Sequence, residues 1–152
     1  LGHRTILARP DKPELKIKIS EQIKKREWYR PIAPALLPSV AVKALQESVL
    51  NSKLAPFMLG SYTLKQAWQE KFAGVMHVDG TIRAQIVHST AENDFLYNLL
   101  QILSNDYGIY GVINTSFNLQ GEPILHYPQN AVAVAAKMGI DGVVVNGSLH
   151  YS

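Results

Sequence analysis

Residues 92–118 read E-N-D-F-L-Y-N-L-L-Q-I-L-S-N-D-Y-G-I-Y-G-V-I-N-T-S-F-N. Phe95, Leu96, Leu99, Leu100 and Leu103 recur at three- and four-residue spacing. That is one apolar helix face, so the spacing predicts a helix from Glu92 to Tyr107. Gly108 follows at once and suits the left-handed residue that ends a helix. The period then changes. Ile109-Tyr110-Gly111-Val112-Ile113-Asn114 is the short apolar run of a buried strand, and it leads into the polar Thr115-Ser116-Phe117-Asn118. Helix, cap, buried strand and polar loop in succession predict helices layered on a sheet. A loop held at a strand end is where chemistry is usually placed.

The flanks extend this pattern. Downstream, Pro128–Met138 reads as a short helix that starts near Pro128 and ends at Gly139, and 141–146 reads as a last strand. Upstream, Ile82, Ala84 and Ile86 alternate with Arg83, Gln85 and Val87, a strand pattern after an Asp79-Gly80 turn. Residues 56–64 read as another strand. Pro31, Pro34 and Pro38 keep 31–37 extended, and Ser39 is placed to cap a helix over 40–50. Leu15, Ile19 and Ile23 give 14–27 an apolar helix stripe, with Ile17 off it. Gly2, Pro10 and Pro13 break any period in 1–13, which reads as a linker from something upstream. The whole is an α/β or α+β sheet domain.

Composition bounds the function. The 152 residues are the size of one domain, and 47% hydrophobic against 18% charged is a globular balance. The absence of cysteine excludes a disulfide framework, a thiolate metal site and a cysteine nucleophile. It fits a cytoplasmic location. No apolar run approaches the ~18–20 residues of a membrane span. The first residue is not Met, so the chain is expected to be a piece of a longer protein. Residues 1–30 hold nine of the 15 Lys and Arg against four acids. Such a basic end is a solvated helix face or an anion site for nucleic acid or nucleotide.

Three constellations carry candidate chemistry. Lys24-Lys25-Arg26-Glu27-Trp28-Tyr29-Arg30 interleaves cations with aromatics, which suits phosphate clamping and base stacking as well as a basic helix end. His77-Val78-Asp79-Gly80-Thr81-Ile82-Arg83 reads as a turn running into a strand, with Thr81 and Arg83 on one face. His77 and Asp79 are too few to claim a metal. Arg83, alone on a largely apolar strand, needs an anionic partner, either a ligand or an internal carboxylate such as Asp79. Asn114-Thr115-Ser116-Phe117-Asn118 offers hydroxyl and amide donors for phosphate oxygens, or is a plain strand and turn. No Walker loop, dinucleotide fingerprint or zinc-protease motif is present.

Taken in order, these blocks resemble one family. Lys24–Pro34 is similar to a K-x-R-E-x-x-R-P-x-A-P segment, Phe57-Met58 to a P-F-M block, and His77–Gln85 to H-V-D-G-T-x-R-x-Q. Asn114–Asn118 with Gly121–Ile124 is similar to N-T-S-F-N-x-x-G-E-P-I, and Leu1–Leu7 to L-G-x-R-S-I-L, with Thr5 in place of the usual Ser. The family is the O-carbamoyltransferases of the nodulation-factor and tobramycin type. The resemblance implies a twisted mixed sheet with flanking helices, like the YrdC-like domain that makes threonylcarbamoyl-adenylate. It implies residues 1–13 as a linker from an N-terminal actin-like ATPase-type domain, and 14–152 as the C-terminal domain. It implies that this domain takes ATP, with Mg²⁺ on the nucleotide, and carbamoyl phosphate, and forms carbamoyl-adenylate. The missing domain, which would carry any iron site, would transfer the carbamoyl group to a hydroxyl acceptor. By the same resemblance Lys24, Arg26 and Arg83 are catalytic, and Arg30, His77, Asp79, Thr81, Thr115, Ser116 and Asn118 hold the nucleotide. No residue is assigned to a metal. The competing readings are a nucleic-acid-binding module and a non-catalytic docking module of the same fold.

Overall fold

Residues 2–151 are described by a computed structural model. Leu1, the first residue of the L-G-x-R block, and Ser152, the last of the expected domain, lie outside the described residues. The strands are β1 (Thr5–Ala8), β2 (Pro34–Leu36), β3 (Tyr62–Thr63), β4 (Thr81–Ile82), β5 (Gln85–Ile86), β6 (Val112–Ser116), β7 (Gly142–Val145) and β8 (Ser148–Tyr151). The α-helices are α1 (Pro13–Lys16), α2 (Pro38–Ala44), α3 (Thr90–Tyr107) and α4 (Ala131–Met138).

The main sheet has the order β1-β6-β2-β5. β6 is antiparallel to both β1 and β2, and β2 is parallel to β5, so the sheet is mixed. β3 with β4, and β7 with β8, form two separate antiparallel ribbons. The chain is therefore a mixed α/β domain. Val112 and Ile113 of β6 are buried, as are Leu96 and Leu100 of α3. Gly111 enters β6 where a Cβ would meet the Ala35 carbonyl oxygen at 2.9 Å, so only glycine lets the two strands close there. Among the described residues no helix is long and apolar enough to cross a membrane.

Several elements differ from the sequence expectations, each for a local reason. Residues 5–8 are not irregular: they form the edge strand β1, whose register sets Thr5 opposite Ser116. The proline and glycine breakers flank this strand without interrupting it. The helix over 14–27 begins as α1 and widens into a π-helix over Ile17–Ile23. Its wider turn buries Ile19, Ser20 and Ile23 together, with Lys24 just beyond them. The helix over 40–50 is α2 followed by a 3₁₀ turn, and Leu37 rather than Ser39 precedes its first turn. Only Tyr62–Thr63 of the expected 56–64 strand is strand.

The alternating run 82–87 is two strands in two different sheets, so Arg83 sits at a crossover. α3 begins at Thr90, but Asn93 is extended (φ −165°, ψ 99°), and its Oδ1 accepts the Leu96 N–H at 2.8 Å as an N-cap would. The last strand expected over 141–146 is β7, and it continues into β8 through Asn146-Gly147, both left-handed (φ 50° and 82°), a tight hairpin turn.

Candidate functional site

The π-helix delivers Lys24 to the end of β6. The last bonds of the helix, Lys24 N–H to the Ile19 carbonyl (3.0 Å) and Arg26 N–H to the Ser20 carbonyl (2.9 Å), enclose Lys25 in the left-handed region (φ 45°). This non-glycine reversal turns the chain out of the helix immediately after Lys24. The Lys24 residue is 3% exposed. Its Nζ donates to the Ser116 carbonyl, to Ser116 Oγ (3.1 Å) and to Asn118 Oδ1 (2.5 Å). Ser116 Oγ in turn donates to Asn118 Oδ1 (2.6 Å), and Asn118 Nδ2 donates to the Glu122 carbonyl (2.8 Å). Burial, and then Arg26 nearby, push the Lys24 ammonium down to about 8. The oxygen acceptors round Nζ work in the opposite sense by favouring its charged form.

Beside this knot lies a cavity of about 370 Å³ lined by Arg26, Arg83, Thr115, Ser116, Asn114 and Thr5, among others. Arg4 also lines it, and among the described residues no Asp or Glu does. Burial and the neighbouring Arg30 and Arg83 lower the Arg26 guanidinium from its ordinary value. Neither Arg26 nor Arg83 has an ion-pair partner among the described residues. Arg83 Nε is buried without a hydrogen-bond partner. Asp79, the internal carboxylate weighed for it, is engaged elsewhere. Its Oδ1 accepts the Thr81 N–H (3.0 Å) and hydroxyl (2.7 Å), and these bonds hold Asp79 below the usual carboxylate range.

The expected site residues thus divide. Arg26, Arg83, Thr115 and Ser116 meet at the cavity, with Lys24 and Asn118 bonded to Ser116. His77, Asp79 and Thr81 do not line it. They close a turn, in which the His77 ring Nδ1 lies 2.9 Å from Thr81 Oγ1 and Gly80 N–H donates to the His77 carbonyl (3.0 Å). Burial lowers the His77 imidazole from its ordinary value. Arg30 is exposed and paired with Glu27 (3.6 Å).

The basic first thirty residues are divided among different tasks. Arg9 pairs with Asp11 (2.7 Å), Lys18 with Asp141 (3.8 Å), Lys24 is buried, and Arg4 and Arg26 face the cavity. Trp28 and Tyr29 are 70% and 66% exposed, so neither is a core residue. Among the described residues no three His, Asp or Glu side chains gather as a metal ion would require.

Arg4 and Thr5, which line the cavity, and Gln85, which bonds Asn114, are not among the expected site residues. Asn114 belongs to the 114–118 block of candidate donors without an assigned role, and the two-residue strand period puts it on the face of Ser116.

Comparison with known proteins gives a family model described as "Carbamoyltransferase C-terminus", which matches residues 1–151. An uncharacterised protein of Methanocaldococcus jannaschii is 33% identical over 149 residues, covering 98% of this chain and 24% of that protein. Nodulation protein NolO of Bradyrhizobium diazoefficiens is 34% identical over 145 residues, 95% of this chain and 26% of its own. Nodulation protein U of Rhizobium tropici is 33% identical over 150 residues, 98% and 24% respectively. The chain spans about a quarter of the length of these curated relatives.

Proposed function

The chain belongs to the carbamoyltransferase C-terminal family, and on that premise we propose that its arginine-lined cavity binds ATP and carbamoyl phosphate and forms carbamoyl-adenylate. Water splits carbamoyl phosphate into carbamate and inorganic phosphate. A carbamate oxygen attacks the α-phosphorus of ATP, and pyrophosphate leaves. Apart from water every species in this sequence is anionic, so catalysis is mainly positioning and charge neutralisation. Arg83 and Arg26 would fork onto phosphate oxygens, which suits a planar guanidinium. Thr115 would add a hydroxyl donor, and Ser116 would do so only by giving up its bond to Asn118 Oδ1. Lys24 would hold Ser116 and Asn118 in place. Mg²⁺ would arrive on the nucleotide, since the described residues offer it no cluster of their own.

In this reading the sheet is of the YrdC-like kind. The rest of a longer, cytoplasmic protein, with an actin-like ATPase-type domain, would supply the acceptor site and move the carbamoyl group to a hydroxyl.

One observation carries the reading: among the described residues three guanidiniums and no carboxylate line the cavity, and none of the three has an ion-pair partner. Like charges held together cost stability unless something anionic joins them. Calorimetry with ATP and Mg²⁺, followed by ATP–pyrophosphate exchange with carbamoyl phosphate present, tests it. Binding in the micromolar to millimolar range with exchange supports it. No heat with millimolar ATP, alongside a duplex-RNA shift that weakens steeply with salt, would replace it with the nucleic-acid module.

A further inference from the structure

The cavity has an uncharged side as well as a cationic one. Thr5 on β1, Asn114 on β6 and Gln85 on β5 form a line of hydrogen bonds across the main sheet. The Thr5 hydroxyl is shared between Asn114 Oδ1 and the Thr115 carbonyl (2.7 Å). Asn114 Nδ2 donates to Gln85 Oε1 (2.7 Å). β2 lies between β5 and β6, and the two amides meet although a strand separates them. The Asn114 N–H bonds the Ala33 carbonyl of the intervening chain (2.9 Å), and Ala33 and Ala35 are small enough to leave room. Asn114 is 5% exposed and Gln85 6%, yet Asn114 and Thr5 line the cavity beside Arg83.

A buried amide is costly unless its capacity is used. An asparagine side chain has two N–H donors and two acceptor lone pairs. The bonds to Gln85 and Thr5 use one of each. One donor and one acceptor remain on a side chain that faces the cavity, held at a fixed angle from both sides.

We propose that Asn114 is a specificity-determining residue that reads the planar amide end of the carbamoyl donor, giving its N–H to the carbamoyl oxygen and accepting from the amino group. The proposal rests on the reading of this cavity as the carbamoyl phosphate site. Division of labour follows: the guanidiniums take the phosphate, which any acyl phosphate shares, and Asn114 takes the group that only a carbamoyl phosphate has. Gln85 is a positioning residue that acts through Asn114.

The test compares carbamoyl phosphate with acetyl phosphate, which carries a methyl group where carbamoyl phosphate has its amino group. The unmodified chain should bind carbamoyl phosphate roughly tenfold more tightly, because the methyl leaves the second lone pair of Asn114 Oδ1 without a donor. Asn114→Ala should bring that ratio close to one while inorganic phosphate binds as before. Gln85→Leu should lower the ratio partway. A purely structural amide would lower the melting temperature in these variants and leave the ratio unmoved. Should Asn114→Ala not fold, the ratio in the unmodified chain still decides. Equal binding of the two acyl phosphates, both lost in Arg83→Ala, overturns the proposal and leaves the cavity assignment standing. Binding of neither acyl phosphate ends both.

Discussion

Replacing Arg83 by alanine should weaken anion binding and strengthen the fold in the same molecule. The guanidinium Nε is buried with no hydrogen-bond partner, and Arg83 is close enough to Arg26 to disfavour its charge. An unsatisfied buried donor costs about 1–3 kcal/mol. Alanine removes that cost and one of three like charges, and gives up some packing of the side-chain stem in return. The balance is a gain on the order of 1 kcal/mol, a rise of roughly 2–4 °C in Tm for a domain of this size. Binding moves the other way. Loss of one charge-assisted contact to phosphate costs about 2 kcal/mol, or roughly thirtyfold in Kd. Arg83→Lys should fall between, since an ammonium has no planar fork. Calorimetry with carbamoyl phosphate and thermal denaturation on the same preparations read both signs. A lowered Tm with unchanged Kd would show that Arg83 serves the fold and would sink the reasoning.

Three further outcomes are expected. Lys24 is pushed down to about 8 in the fold against its ordinary 10.5, so between those values the unfolded chain keeps a proton that the fold has released. The Lys24 contribution to stability should then be flat below pH 8 and rise toward pH 10.5 by up to about 3 kcal/mol, a slope that urea titrations should find in the wild type and not in Lys24→Met. Ser116→Ala removes an acceptor from Lys24 and a donor to Asn118, and should cost about 1 kcal/mol of stability in urea and several-fold in phosphate affinity by calorimetry. Gly147→Val puts a β-branched residue at φ 82° in the turn between β7 and β8 and should lower stability by about 1–2 kcal/mol in thermal melts, with carbamoyl phosphate binding unchanged.

The parts of the fold that the sequence displayed are those whose pattern is long and local. The α3 stripe, the Gly108 cap and the apolar run into Asn114 each announce themselves within a few residues, and the structure has α3 and β6 there. β1 escaped because a short edge strand between Gly2 and Pro10 owes its existence to Ser116 and its neighbours, more than a hundred residues away. The run Ile82–Val87 deceived for a related reason. Its alternation is continuous, but its hydrogen bonds go first to β3 and then to β2. Asn146-Gly147 was a legible hairpin signal that the reading of a final strand over 141–146 passed over. In the site, residue type found the donors, and only tertiary pairing sorts them. Nothing local separates the His77–Thr81 turn, closed on itself, from Ser116 and Thr115, which face a cavity.

That sorting changes how the Lys-x-Arg pair is to be understood. Both residues are cations two positions apart, and sequence alone makes them equivalent phosphate ligands. Their surroundings make them unlike. The three Lys24 ammonium hydrogens face three oxygens of Ser116 and Asn118, so its bonding capacity is already met. Among the described residues Arg26 has no ion-pair partner, and it lines the cavity. The left-handed Lys25 between them sends the two side chains to different tasks. Lys24 fixes the loop after β6, and through Ser116 it sets where the hydroxyl donor stands. Arg26 and Arg83 keep their charge for whatever enters. A phosphate that reaches Lys24 must displace one of its oxygens, whereas one that reaches Arg83 gives a buried donor its first partner. The second exchange is the favourable one, so in the proposed reading the anion would sit against the guanidiniums, next to the amide of Asn114.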